Sequence, residues 1–317
     1  GSQHKNKGKG VVPAPRQVSR RSFLRAIAAT VGVSAAVPTG VGFLRGLTRV
    51  SASQDVKVAL IPKDTGIAEQ QQKEDQVLET VFGSDKQQAR ARVDEIKSDI
   101  LSQPGFGDMY LAMPKKFENH IREQAKLNGL DGDVVMGVVG IENSGGEDVI
   151  GDQGAARGVM QLWEDTARDQ GLVVNNKVDE RADPYKNIAA GVQTLGSHKK
   201  ILGGNEGLAV WAFNIGFGRV MKSLQLYFAD IKHYNIGSYS YAIEKQDPVL
   251  RQKIEKDAAR LIRETGVSPH KILANPVAQE YLSGELYPHF EDYSYKVAAI
   301  AQLLQEQPKV YVAATNH

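Results

Sequence analysis

Across residues 77–304 apolar side chains recur at three- and four-residue spacing in a charged background, and no run alternates with period two for long enough to build a large sheet. This regularity makes the chain mainly α, because a helix-period stripe laid out as a strand would turn half its apolar side chains to water. Val77, Leu78, Val81 and Phe82, then Val93, Ile96 and Ile100, predict two amphipathic helices. The run 101–114, LSQPGFGDMYLAMP, reads as a breaker-rich junction. Phe117, Ile121 and Ala125 mark a helix that Asn128-Gly129 ends, and Asp131 is placed to cap the next, over 134–141. Later helices are expected at 188–202, 208–213, 250–262 and 297–304. The predicted organisation is a leader, 1–52, a helical lead-in, 53–112, a main domain, 113–305, and a tail, 306–317, with no internal repeat.

The 317 residues include no cysteine, which removes disulfides, thiolate nucleophiles and Cys-ligated metals and leaves carboxylate, histidine or hydroxyl chemistry. His198, His233, His270 and His289 form no close pair and no HExxH, so neither a metal nor another cofactor is expected. The formal charge of +2 is uneven: residues 1–52 hold nine Lys/Arg and no acid, leaving 30 Lys/Arg against 37 Asp/Glu, or −7, for the rest. A body of that sign is a poor binder of phosphate backbones, and nucleic acid is set aside as a partner.

The basic segment has the order of an export signal. Ser19-Arg20-Arg21-Ser22-Phe23-Leu24-Arg25 precedes an uncharged run at 26–44, Arg45 and Arg49 close it, and Val50-Ser51-Ala52 offers small residues for cleavage. It resembles a twin-arginine signal, which implies a protein exported to the periplasm or cell envelope and starting near Ser53. An uncleaved anchor is the alternative, weakened by Gly32, Pro38, Gly40 and Gly42. Gly1-Ser2 read as a cloning remnant.

Three segments between 134 and 216 carry candidate chemistry. The apolar run VVMGVVGI, 134–141, ends in Glu142, before the loop Asn143-Ser144-Gly145-Gly146. A carboxyl at the end of a buried helix loses hydration, which favours its protonated form, the one a general acid needs; a solvated helix end is the plain alternative. The second segment, Gly158-Val159-Met160-Gln161, is a glycine-marked turn without the Gly-Lys-Ser/Thr of a phosphate loop. The third, Ala212-Phe213-Asn214-Ile215-Gly216, is an apolar helix broken by Asn and Gly, which a simple C-cap also explains.

In this order the segments resemble the catalytic domain of the soluble lytic transglycosylases, relatives of goose-type lysozyme. The marks of that family are Glu-Ser after an apolar helix, Gly-Leu-Met-Gln, Ala-Tyr-Asn-Ala-Gly and a later Glu-Thr-x-x-Tyr-Val. The likeness runs from about 134 to 220, includes Asp183-Pro184 and Asn187-Ile188, and resumes at Glu291-Asp292-Tyr293-Ser294-Tyr295-Lys296. It implies a lysozyme-like helical domain with a helical N-terminal extension, peptidoglycan glycan strands as substrate, and Glu142 as the catalytic acid. Ser144, Met160, Gln161, Phe213, Asn214 and Tyr295 would line the substrate site. Gln161 and Asn214 would meet the acetamido and ring hydroxyls without holding the fold together, and Tyr295 would place a hydroxyl close to Glu142. Trp163, Phe213 and Phe217 offer apolar faces to sugars, or belong to the core. The sequence departs from the family pattern at Asn143, which stands where the Ser is expected, at Phe213 in place of Tyr, and in a longer span between 218 and 295.

The reaction implied is cleavage of the bond between N-acetylmuramic acid and N-acetylglucosamine with closure of a 1,6-anhydro ring, using one carboxyl group. Glu147, Asp148 and Asp152 keep open a goose-type hydrolase, in which one of them holds water, since inversion by water needs a second carboxylate. A non-catalytic glycan-binding module, or a component of a cell-envelope assembly whose partner the sequence does not name, is the third reading.

Overall fold

The structure, a computed structural model, describes residues 63–102, 105–143, 146–151, 154–286 and 290–306. The expected leader, the 53–62 stretch, Ser144, Asp152 and all but the first residue of the tail lie outside the described residues. Among the described residues no helix is long and apolar enough to cross a membrane.

The fold is helical, as the spacing predicts. α1 (Lys63–Phe82) and α2 (Lys86–Ser102) form the lead-in pair, burying Val77, Leu78, Val81 and Phe82 from the first and Ala89, Val93, Ile96 and Ile100 from the second. The junction after them holds more structure than its breakers suggest, because Gly105, at φ +78°, starts a helix, α3 (Phe106–Lys116), that runs through Pro114. That proline sits beside Gly140 on a neighbouring helix, where a side chain would also meet the Tyr110 carbonyl oxygen at 2.7 Å, so the irregular turn is packed against a position without a Cβ. α4 (Glu118–Leu127) and α5 (Gly132–Glu142) follow, the latter capped by Asp131, which accepts from the Asp133 and Val134 amides.

A meander of three two-residue strands, β1 (Ile150–Gly151), β2 (Ala156–Arg157) and β3 (Leu162–Trp163), pairs antiparallel with Ile150 opposite Arg157 and Arg157 opposite Leu162. α6 (Glu164–Asp169), α7 (Pro184–Ile201), α8 (Glu206–Ile215) and α9 (Phe217–Lys232) continue the chain. The long span after the third motif folds as α10 (Tyr239–Glu244), α11 (Pro248–Thr265), α12 (Pro269–Ala274) and α13 (Pro276–Glu285), before α14 (Tyr293–Glu306) closes the fold.

Two apolar clusters result. The first gathers α1, α2, α4, α5, α7 and α14; the second gathers α9, α11, α12 and α13. α8 is buried at every position because it lies between them, giving Val210 and Phe213 to the first cluster and Leu208, Ala209, Trp211, Ala212 and Ile215 to the second. Within the first, α14 crosses α5 where a Cβ at Gly137 would meet the Val297 carbonyl oxygen at 2.3 Å. The backbones approach that closely because α5 offers no side chain there.

Candidate functional site

The run 134–139 is buried completely, and the helix it forms delivers Glu142 to its C-terminal end with 9% of its surface exposed. The hydroxyl that reaches the carboxylate belongs to Tyr293, at the first position of α14: it donates to Glu142 Oε1 at 2.6 Å. This corrects the expectation for Tyr295, which points away and bonds His270 Nδ1 at 2.7 Å while stacking on Phe82. Two residues along a helix is a rotation of about 200°, so only one of the two tyrosines can face α5.

Asn143, fully buried, replaces the expected hydroxyl with a loop clamp. Its Nδ2 donates to the Gly146 carbonyl and its Oδ1 accepts from the Gly146 amide at 3.0 Å, which ties Gly146 to the end of α5. Ser144, between them, lies outside the described residues.

The second motif is a turn built on backbone constraints. Gly158 has φ +83°, and a Cβ there would meet the Arg181 carbonyl oxygen at 2.2 Å and Asn187 Nδ2 at 2.4 Å. Asn187, buried on α7, accepts from the Met160 amide at 2.7 Å and donates to the carbonyls of Arg157 and Arg181 at 2.9 and 3.0 Å. Gln161, itself at φ +47°, donates through Nε2 to the carbonyls of Val149 at 3.0 Å and Gly158 at 2.8 Å. Gln161 therefore does hold the fold together, against expectation. Its amide ties the loop descending from Glu142 to its own turn, and a Cβ at Gly151 would meet its Oε1. Met160, also expected to line the substrate site, has no exposed surface, and its side chain fills the space left by the missing Cβ of Gly191.

The third motif ends α8. Asn214 and Phe213 keep 7% and 8% of their surface, and Gly216, at φ +92°, breaks the helix so that Phe217 can start α9. Gln161, Phe213 and Asn214 meet around one cavity of about 440 Å³, which Trp163, Thr194, His198, Phe217 and Arg219 also line. Trp163 is 41% exposed, so of the three aromatic candidates it offers the largest face to solvent, with Phe217 partly and Phe213 almost wholly buried. Phe217 stacks on His198, whose burial pushes its pKa down to about 4 and keeps the ring neutral.

Of the three carboxylates that follow the acid in sequence, the two described ones have cationic partners. Glu147 pairs with Lys116, and Asp148 with Arg157 at 2.6 and 2.7 Å, the hydrogen bonds from Arg157 holding Asp148 below the usual carboxylate range. Sequence reasoning missed Arg181, whose buried guanidinium reaches the carbonyls of Ala155 and Leu162 at 2.8 and 3.2 Å and grips Asp179, lowering the latter to about 2. The signal available was the dense charge of Asp179-Glu180-Arg181 directly before a Pro-started helix.

Residues 119–235 match the family model of the Transglycosylase SLT domain, a lysozyme-like helical domain that acts on peptidoglycan as a lytic transglycosylase. The matched stretch takes in Glu142, the 158–161 turn and Asn214. It leaves outside it the lead-in pair, the span from α10 to α13, and α14 with Tyr293. No curated protein and no solved structure matches the chain.

Proposed function

We propose that this chain cleaves the glycosidic bond between N-acetylmuramic acid and N-acetylglucosamine in peptidoglycan, forms a 1,6-anhydro end, and uses Glu142 as its single acid and base. The observation that carries the reading is the contact between Glu142 and Tyr293: a nearly buried carboxyl group at the end of an apolar helix, held at one oxygen by a hydroxyl from a separate helix. The family match at residues 119–235 supports the substrate class.

In this mechanism Glu142 gives its proton to the glycosidic oxygen as the C1–O bond breaks. The resulting carboxylate then takes the proton from the muramic 6-hydroxyl as that oxygen bonds to C1. The acid is regenerated and no water is consumed. A hydroxyl carried by the same sugar can replace water because its orientation is already set, an advantage of about 7 kcal/mol in well-oriented intramolecular reactions. No second carboxylate is required by this route, in keeping with the ion pairs that engage Glu147 and Asp148. Asn214 and the exposed ring of Trp163 would bind sugar in the cavity.

The test is the mass of products released from purified sacculi. Muropeptides lighter by one water at the muramic end are expected. Reducing ends would replace the reading with hydrolysis, and no release at all would leave a glycan-binding module. We further propose that residues 1–52 direct export through the twin-arginine route, on the strength of Arg20-Arg21 ahead of an uncharged run. Export that continues at the normal rate after both arginines are changed to Lys would refute it.

A further inference from the structure

Tyr293 has its hydroxyl on Glu142, but the segment that carries it is gripped from the opposite side. Asp292, directly before it, is buried, and its Oδ1 accepts from both Nε and Nη2 of Arg92 on α2, at 3.1 and 2.8 Å. Two residues on, the Tyr295 ring stacks on Phe82 of α1 with centroids 4.9 Å apart, and its hydroxyl meets His270 of α12. Towards the far end of α14, Lys97 of α2 reaches Glu306 at 2.5 Å. One face of α14 thus packs on the helix of the acid, and the other is fastened to the lead-in pair.

We propose that Arg92 is a positioning residue for glycan cleavage, acting through Asp292 to fix the start of α14 and with it the Tyr293 hydroxyl on Glu142. The inference rests on Glu142 being the acid. The first turn of a helix frays most easily, because its amides have no partner within the helix. Tyr293 occupies that turn, and a hydrogen bond of 2.6 Å tolerates little displacement. Asp292 is costly to bury without a cation. Arg92 supplies two N–H groups from one rigid plane, which fixes the carboxylate in direction as well as distance, whereas a lysine ammonium at the same place fixes distance alone. The contact spans 200 positions of sequence and forms only when the lead-in pair is folded onto the domain. It gives helices outside the matched stretch a part in the chemistry.

The experiment is a double-mutant cycle on the full chain, with kcat and KM measured on sonicated sacculi and a melting curve for every variant. Tyr293→Phe should lower kcat roughly tenfold, the effect of one hydrogen bond to a charged group. Arg92→Ala should lower kcat about three- to tenfold with KM held within about twofold, and Arg92→Lys should fall between it and the parent. The variant carrying both Arg92→Ala and Tyr293→Phe should be no slower than Tyr293→Phe alone, since Arg92 then has nothing left to position. Effects that multiply, or an Arg92→Ala protein with the kcat of the parent, would overturn the proposal. If Arg92→Ala does not fold, Asp292→Asn takes its place in the cycle, where multiplying effects or a parental kcat again overturn the proposal. Glu142→Gln is run alongside: a protein that still turns over at the parental rate refutes the acid and this inference with it, whereas loss of turnover together with multiplicative effects refutes the positioning role alone.

Discussion

The two apolar clusters use the same helical grammar with different results. The first ends its helices in groups that can react or bind: α5 in Glu142, with Tyr293 opening α14 beside it. The second, built on α9, α11, α12 and α13, buries Trp211, Leu208 and Phe228 completely, and the tyrosine–carboxylate pairs beside it, Tyr239 with Glu255 and Tyr234 with Asp257, each at 3.1 Å, have their carboxylates along α11 and do not end a buried helix. α8 is common to both and ends at the cavity. The contrast teaches that the second cluster holds one face of α8, while the first carries the groups to which we assign the chemistry. Substitutions in the two should therefore separate activity from stability.

The largest expected effect breaks the chemistry alone. Glu142→Gln keeps the shape of the side chain and removes the transferable proton, so turnover of sacculi should fall by the ~10²–10⁴-fold typical of a lost general acid. Its melting temperature should stay within a few degrees of the parent. A large drop in melting would show that Glu142 is a structural tie of the first cluster.

Next comes the converse substitution. Trp211 is fully buried in the second cluster, so Trp211→Ala should cost about 3–5 kcal/mol in denaturant unfolding. At low temperature, where the variant remains folded, its activity per folded molecule should stay close to that of the parent. Loss of activity out of proportion to unfolding would mean that the second cluster tunes the site directly.

A smaller effect probes the seam between the clusters. His198 projects from α7 and stacks on Phe217, and its pKa falls from an ordinary 6.5 to about 4 because burial penalises the cation. Its contribution to stability is therefore complete above pH 6.5 and is lost as pH falls from there through about 4, since only the unfolded chain gains the proton in that window. The loss should reach about 3 kcal/mol. His198→Gln should flatten that part of the profile of unfolding free energy against pH, and an unchanged profile would contradict the burial effect.

How much of this is legible in the sequence follows from where polar residues interrupt apolar runs. Glu142 and Asn214 stand out because each ends a run that nothing else breaks. Tyr293 does not, since two tyrosines two residues apart differ by a helical phase that the sequence cannot set without knowing the angle at which α14 crosses α5. Met160 resembles a site residue because it lies inside a motif, and only the space above Gly191 shows why it is buried. Of the helices in the 238–286 span, α11 carries the long apolar stripe expected at 250–262, whereas α10, α12 and α13 are too short to show one. Their starts are nevertheless written as Asp247-Pro248, Ser268-Pro269 and Asn275-Pro276, each a capping side chain followed by proline in the first turn.

The smallest expected effect separates two amides that the sequence treats alike. Gln161 and Asn214 both line the cavity and both keep less than a tenth of their surface. Gln161 donates to two main-chain carbonyls and holds a left-handed backbone, so Gln161→Ala leaves both carbonyls without that donor and should cost about 1–3 kcal/mol of stability. It should also lower turnover, because the loop from Glu142 is attached to the turn through Val149. Asn214 stands at the last turn of α8, where Gly216 already supplies the break that ends the helix. If Asn214 serves sugar recognition, as proposed, Asn214→Ala should cost no more than the roughly 1 kcal/mol of one hydrogen bond in stability, while KM for sacculi rises by a factor of several. Measured side by side, the two alanine variants should differ in melting more than in KM. If Asn214→Ala melts as early as Gln161→Ala with KM unchanged, then both amides serve the fold, and sugar recognition in the cavity must rest on Trp163 and its neighbours.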